Sequence, residues 1–96
     1  MMISSKGRYA LRVMIDLAEH PDEGYIPLQT IAARQGISEK YLESILAVLS
    51  KARLLDAVRG KGGGYRLSRP AKDYTAFEIL SLTEGTLAPV QFSLLS

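Results

Sequence analysis

The feature that most narrows what this chain can become is a pair of short helical patterns on either side of one glycine, Gly36. Pro27 opens the first pattern, Leu28 to about Gln35, where its missing N–H costs nothing. Gly36 suits a left-handed cap, a conformation that L side chains resist. Ile37 anchors the corner, and Ser38 is placed to cap a longer helix from Glu39 to about Ala52. Leu42, Ile45, Leu46 and Leu49 fall at i, i+3, i+4 and i+7 along it, which predicts one buried stripe. The opposite side carries Lys40, Glu43, Ser44 and Ala47, small or polar throughout. Small Ala32, four residues before Gly36, allows the two helices to cross closely, and the whole fits a helix-turn-helix. A DNA major groove about 12 Å wide admits a helix with short polar side chains on its outer face. An ordinary helical hairpin in a small core has the same pattern, so this segment alone leaves both open.

The next segment separates them. Leu54 to Val58 reads as a strand, Arg59 to Gly64 as a loop and Tyr65 to Ser68 as the returning strand. The loop, Arg59-Gly60-Lys61-Gly62-Gly63-Gly64, joins two long cations to four glycines. Glycines let backbone approach another surface and expose N–H groups to phosphate oxygens. A nucleotide-binding enzyme would need a Gly-Lys pair followed by Ser or Thr and leading into a helix, or G-x-G-x-x-G in a βαβ unit. Here Tyr65-Arg66-Leu67 follows, a strand. A basic hairpin directly after a helix-turn-helix is a wing, able to lay Arg59 in the minor groove.

The first helix is expected from about Lys6 to Glu19, capped by Ser4 or Ser5 and stopped at His20-Pro21. Its apolar positions wrap more than one face, which predicts a central core helix with one flank left for a partner surface. His20 at its end suits the helix dipole better than catalysis. Asp22-Glu23-Gly24 is a turn, and Tyr25-Ile26 could add one short strand. The last helix is expected from Thr75 to Gly85, with Thr75-Ala76-Phe77-Glu78 as a capping box. The fold class is mainly α with a small β-hairpin, a winged helix-turn-helix. Pro89 starts a new segment, and Val90, Phe92, Leu94 and Leu95 predict self-association or docking of the tail.

Composition excludes several alternatives. The chain of 96 residues allows one small domain, burying roughly two-thirds of its unfolded surface. It has no cysteine and one histidine, which rules out disulfides, a thiolate zinc site and a cysteine-ligated cluster within these residues. No apolar run approaches the ~20 residues of a membrane span, and the start turns basic too early for a signal peptide. A cytoplasmic protein without a membrane partner is expected. Charge is uneven. Residues 51–72 hold seven basic side chains (Lys51, Arg53, Arg59, Lys61, Arg66, Arg69 and Lys72) against Asp56 alone, while 13–50 are acidic. That polarity favours a polyanion such as double-stranded DNA, with a solvated basic face as the plainer alternative. No serine, histidine and acid arrangement points to an enzyme. Glu39 and Glu43 more naturally flank the outer helical face, where Glu43 is either a rim charge or an acceptor from a cytosine amine. The alternative from another class is a winged-helix module that docks a protein through the tail and first helix.

Several motifs together resemble the Rrf-type winged-helix transcription regulators. They are Ser5-Lys6-Gly7-Arg8-Tyr9-Ala10, Arg34-Gln35-Gly36-Ile37-Ser38, Tyr41-Leu42-Glu43, Val58-Arg59-Gly60, Gly62-Gly63-Gly64-Tyr65 and Glu84-Gly85. The resemblance implies recognition-helix contacts by Ser38, Lys40, Tyr41, Glu43 and Ser44, and wing contacts by Arg59, Lys61 and Gly62. It places Ser5 and Lys6 near the DNA backbone. It implies a regulator, normally a repressor, with a DNA-binding domain over residues 1–86 and the start of a sensor and dimerisation segment over 87–96. Family members often continue through a loop of three cysteines that binds an iron–sulfur cluster, then a long dimerising helix. Leu87-Ala88-Pro89-Val90 resembles the start of that loop, but Gln91-Phe92-Ser93 holds no cysteine. A cluster is therefore expected only in a longer, cysteine-containing parent, a homodimer in the full-length form, and a regulatory protein partner where cysteines are absent.

Overall fold

The computed structural model describes residues 3–84. The apolar tail and its expected docking, like the 87–96 segment, lie outside the described residues. Four helices and one hairpin follow in order: α1 (Ser5–Glu19), α2 (Leu28–Gln35), α3 (Glu39–Lys51), β1 (Leu55–Val58), β2 (Gly64–Leu67) and α4 (Ala76–Thr83). Short 3-10 turns at Pro21–Glu23 and Ala71–Asp73 precede α2 and α4. The fold is mainly helical, as the sequence predicts.

α1 is the central helix, packed against α2, α3, α4 and β2. Its Ala10, Val13, Met14 and Leu17 are buried with Ile31 and Ala32 of α2 and Ile79 of α4. The predicted stripe of α3 is wholly inside: Leu42, Ile45, Leu46 and Leu49 have no exposed surface. One flank of α1 does stay outside, with Ile15 55% exposed.

Helix ends explain the corners. At the end of α2, Gly36 adopts φ +66, and Ile37 N–H reaches back to the Ala32 carbonyl at 3.2 Å. The end of α3 has the same hydrogen-bond geometry without a glycine. Arg53 stands at φ +64, and Leu54 N–H donates to the Leu49 carbonyl at 3.0 Å. This turn consumes Leu54, so the strand begins one residue later than expected.

β1 and β2 pair antiparallel, Leu55 opposite Leu67 and Val58 opposite Gly64. Ile26 adds a single bridge: its N–H donates to the Tyr65 carbonyl and its own carbonyl accepts from Tyr65 N–H, both at 2.9 Å. Tyr74 fastens the base of the hairpin. Its hydroxyl donates to Leu54 O at 2.6 Å and accepts from Ser68 N–H at 3.0 Å.

The capping box at α4 is only half formed. Thr75 Oγ1 accepts from Glu78 N–H at 3.1 Å, but the Glu78 carboxylate turns away to the Arg69 guanidinium. An ion pair to a full cation outcompetes a neutral backbone N–H for that carboxylate. His20 ends α1 as expected; its Nδ1–H donates to the Asp16 carbonyl at 2.7 Å.

The two ends of the described chain are joined. Ser4 caps α1 by accepting from Gly7 N–H at 3.0 Å, and Glu84 takes both donors of Ser4, the backbone N–H at 2.8 Å and the hydroxyl at 2.6 Å. Gly7 makes room for this: a Cβ there would lie 3.0 Å from both Glu84 Oε2 and Ile3 Cγ2. The Ser4 hydroxyl, followed by its backbone N–H, holds the Glu84 carboxyl below the ordinary glutamate range. A carboxyl depressed in the folded state stabilises above its unfolded pKa, and that contribution vanishes as pH falls through the folded value. Thermal melts should therefore show Glu84→Gln less stable than the natural chain at neutral pH. The gap should narrow as pH falls below the ordinary glutamate range and vanish below the depressed folded value. A gap independent of pH would assign the effect to shape rather than charge.

Candidate nucleic-acid interface

Two surfaces gather the residues that the sequence singled out. The first is the outer face of α3. Lys40, Glu43, Ser44 and Ala47 are all exposed, directly behind the buried stripe. Ser38 Oγ accepts from Tyr41 N–H at 3.1 Å, which fixes the first turn and leaves the hydroxyl hydrogen available. Ser44 donates its hydroxyl to the Tyr41 carbonyl at 2.7 Å, so toward a ligand it offers lone pairs only. Neither Lys40 nor Glu43 forms an ion pair among the described residues.

Tyr41 is half-buried because its ring meets Tyr9 of α1 edge-on, centroids 5.8 Å apart at 86°. Ser5 lies one turn before Tyr9 on the same side of α1 and is exposed, whereas Lys6 is half-buried. In the sequence Tyr9 stood out only as part of a longer motif, with no contact role of its own.

The second surface is the wing tip. Gly63 N–H donates to Gly60 O at 3.0 Å, closing a turn with Lys61 and Gly62 at its corners. Gly62 at φ +79 supplies the positive φ that the third position of a type II turn requires. Arg59, Gly60, Lys61 and Gly62 are exposed. Gly63 and Gly64 act differently from the sequence expectation of glycines that approach a ligand. A Cβ on Gly63 would lie 2.2 Å from Val58 O, and one on Gly64 2.3 Å from Ile26 O. These two glycines let the chain's own strands approach each other, and the Gly63 N–H is already spent inside the turn.

The basic block also divides in space. Arg66 leans over the Tyr25 ring at 4.4 Å with Asp56 3.8 Å away, and Arg69 is held by Glu78 and the Tyr74 ring. The Glu78 carboxylate is the main reason the Arg69 guanidinium is pushed further above its ordinary pKa. Arg69 and Arg53 sit at the hairpin base, so only Arg59 and Lys61 of the seven reach the tip. Closeness along a sequence does not make a patch when a hairpin carries its members to opposite ends.

A polar network holds the corner between the helices. Asp16 of α1, 3% exposed, accepts from Arg34 Nη1 at 2.8 Å and from Gln35 Nε2 at 2.9 Å. Arg34 also donates to Glu23 at 2.7 Å, and Glu23 and then Asp16 raise its pKa. Both donors are the last residues of α2 before Gly36, so the network anchors the turn onto α1. None of Asp16, Arg34 or Gln35 was singled out as a functional residue from sequence. The signal available was a lone acid among apolar neighbours in α1.

A helical core, a helix-turn-helix within it and a following hairpin define a winged helix-turn-helix protein. Residues 3–94 match Rrf2, described as an iron-dependent transcriptional regulator. The chain belongs to the Rrf2 family. It is 45% identical over 87 residues to the HTH-type transcriptional regulator IscR of Photobacterium profundum, covering 91% of this chain and 51% of that one. IscR of Xenorhabdus nematophila is 46% identical over 87 residues, 91% of this chain and 53% of that protein. The chain thus spans about half the length of these curated relatives. Among solved structures, IscR of T. potens superposes with a TM-score of 0.81 at 41% identity, covering 98% of this chain and 77% of that one. CymR of B. subtilis, the global cysteine regulator, gives 0.85 at 40% identity, with 93% and 69% covered. These relatives are regulators rather than enzymes. The iron of the family description finds no fitting donor set among the described residues: none of them is a cysteine, and no group of three or more His, Asp or Glu is placed to hold a metal ion. No helix of the described residues is long and apolar enough to cross a membrane.

The wing geometry can be checked by stability. Gly64→Ala should lower unfolding free energy by about 1–3 kcal/mol, because its Cβ would push the Ile26 bridge apart. Urea denaturation measures this, and an unchanged midpoint would show that the bridge gives way without cost.

Proposed function

We propose that this chain is the DNA-reading part of a sequence-specific repressor that binds duplex DNA at an inverted repeat. The observation that carries the reading is α3 itself, with a fully buried inner stripe and an exposed outer face of small or polar side chains. It continues through one tight turn into a hairpin tipped by Arg59 and Lys61. In this reading Ser38, Lys40, Tyr41, Glu43 and Ser44 face the major groove. Lys40 is free to meet phosphate, and Ser44 can accept from a base amine. Glu43 selects for a donor such as a cytosine N4 group and repels a groove that offers only acceptors. Arg59 enters the minor groove, while Lys61 and the Gly62 backbone contact phosphates along with Ser5 and Lys6.

Fluorescence anisotropy on a duplex tests this. The affinity should fall steeply with salt, since each phosphate contact releases counterions. On a duplex selected from a random pool, Arg59→Ala should lose about 1–3 kcal/mol of discrimination against unselected DNA. Equal losses on both duplexes would make Arg59 a phosphate contact, and an affinity indifferent to salt would defeat the DNA reading.

An inverted repeat presents two identical half-sites, so the reading requires two copies acting as a homodimer in the longer protein. Sedimentation of the complex formed on the selected duplex should give two chains per duplex. A stoichiometry held at one under saturating protein would oppose the inverted-repeat arrangement.

A further inference from the structure

We infer that Arg12 is an additional contact of this protein to the DNA backbone, a cation held ready for a phosphodiester by Gln35 and Tyr9. The inference rests on the DNA reading above and deepens it by a residue that the motifs do not include. Arg12 is exposed on α1, and with Ser5 and Tyr9 it completes an i, i+4, i+7 row. Its Nε donates to Gln35 Oε1 at 3.1 Å. Its guanidinium carbon stands 5.1 Å from the Tyr9 ring centroid. Tyr9 in turn abuts Tyr41, in the first turn of α3. The guanidinium therefore occupies the point where α1, the end of α2 and the start of the groove-facing helix converge.

The amide that holds it cannot turn round. Gln35 Nε2 is committed to Asp16 Oδ2 at 2.9 Å, which leaves only Oε1 to face Arg12. Two fixed supports, a hydrogen bond at Nε and an aromatic face, define the plane of the guanidinium. Its terminal nitrogens keep four donors in the fork that matches two oxygens of one phosphate. Charge is uncommitted as well. Arg34, Arg66 and Arg69 each have a carboxylate within ion-pair distance, whereas Arg12 has none among the described residues. A long side chain already ordered before binding loses little further entropy on contact. α1 stands behind α3, so the reach of Arg12 is to the sugar–phosphate rim beside the groove rather than to base edges.

The test uses the whole chain and a fluorescent duplex of roughly 30 base pairs and random sequence, titrated between about 50 and 200 mM salt. Arg12→Gln should bind roughly five- to tenfold more weakly at about 0.1 M salt, with the salt slope reduced by about one. Arg12→Lys should restore the slope but only part of the affinity, because a point charge lacks the fork. Gln35→Met keeps the cation and removes its support, so the slope should persist while affinity falls a fewfold. Thermal melts accompany each variant and confirm that the compared chains are folded. Binding and slope unchanged in Arg12→Gln would overturn the contact. Weaker binding with an unchanged slope would also overturn it, leaving Arg12 as a brace for α2. If the natural chain bound no duplex at all, the parent reading would fall first and this one with it.

Discussion

Asp16 sits where the helix-turn-helix is fixed to the rest of the domain. A carboxylate so deeply enclosed is tolerated only because both oxygens are satisfied, one by Arg34 and the other by Gln35. The pair are consecutive residues in the last turn of α2, so the carboxylate grips that turn at two points and resists its rotation. Apolar packing of Ile31 and Ala32 holds α2 against α1 without specifying its angle so narrowly. The angle matters because Gly36 and Ser38 follow at once, and any tilt of the corner is passed to α3. The polar network orients the reading helix, and the buried leucine stripe of α3 keeps it in place.

The wing follows a different rule. Its shape comes from missing side chains: Gly62 takes a backbone conformation that others resist, and Gly63 and Gly64 admit a neighbouring carbonyl where a methyl would collide. Stiffness at the far end comes from Tyr74, whose one hydroxyl ties two backbone segments together through the Leu54 carbonyl and the Ser68 and Arg69 N–H groups. The tip is thereby presented by a short, braced hairpin. Its two cations owe their position to the frame, and among the described residues no acid lies close enough to pair with them.

Much of this architecture was legible in the residues. The apolar spacing of α3 identified its buried side because a helix repeats near that period, and Gly36 with Ser38 marked the corner through backbone preferences that act locally. Interactions between distant positions were not legible. Nothing in the local pattern announces that Gln35 will meet Arg12, or that Glu78 will abandon its own helix cap for Arg69. The clustered bases looked like one patch because charge was counted along the chain, while the hairpin sends Arg59 and Arg69 to opposite ends. Arg53 in a left-handed turn was invisible for the opposite reason, since that conformation usually selects glycine. Of the residues singled out for binding, the exposed row of α3 and the tip of the wing each form a coherent surface. Tyr41 is tied back to α1 and Lys6 half-enclosed, and the supports behind them emerged only in three dimensions.

The bond between Ser4 and Glu84 closes the described chain into a loop without a covalent link. The residue that caps α1 and the residue that follows α4 are therefore held together by a single carboxylate. α1 carries Tyr9 and Asp16, and through them the first turn of α3 and the last turn of α2. One helix therefore joins the contact between the described ends to both halves of the helix-turn-helix.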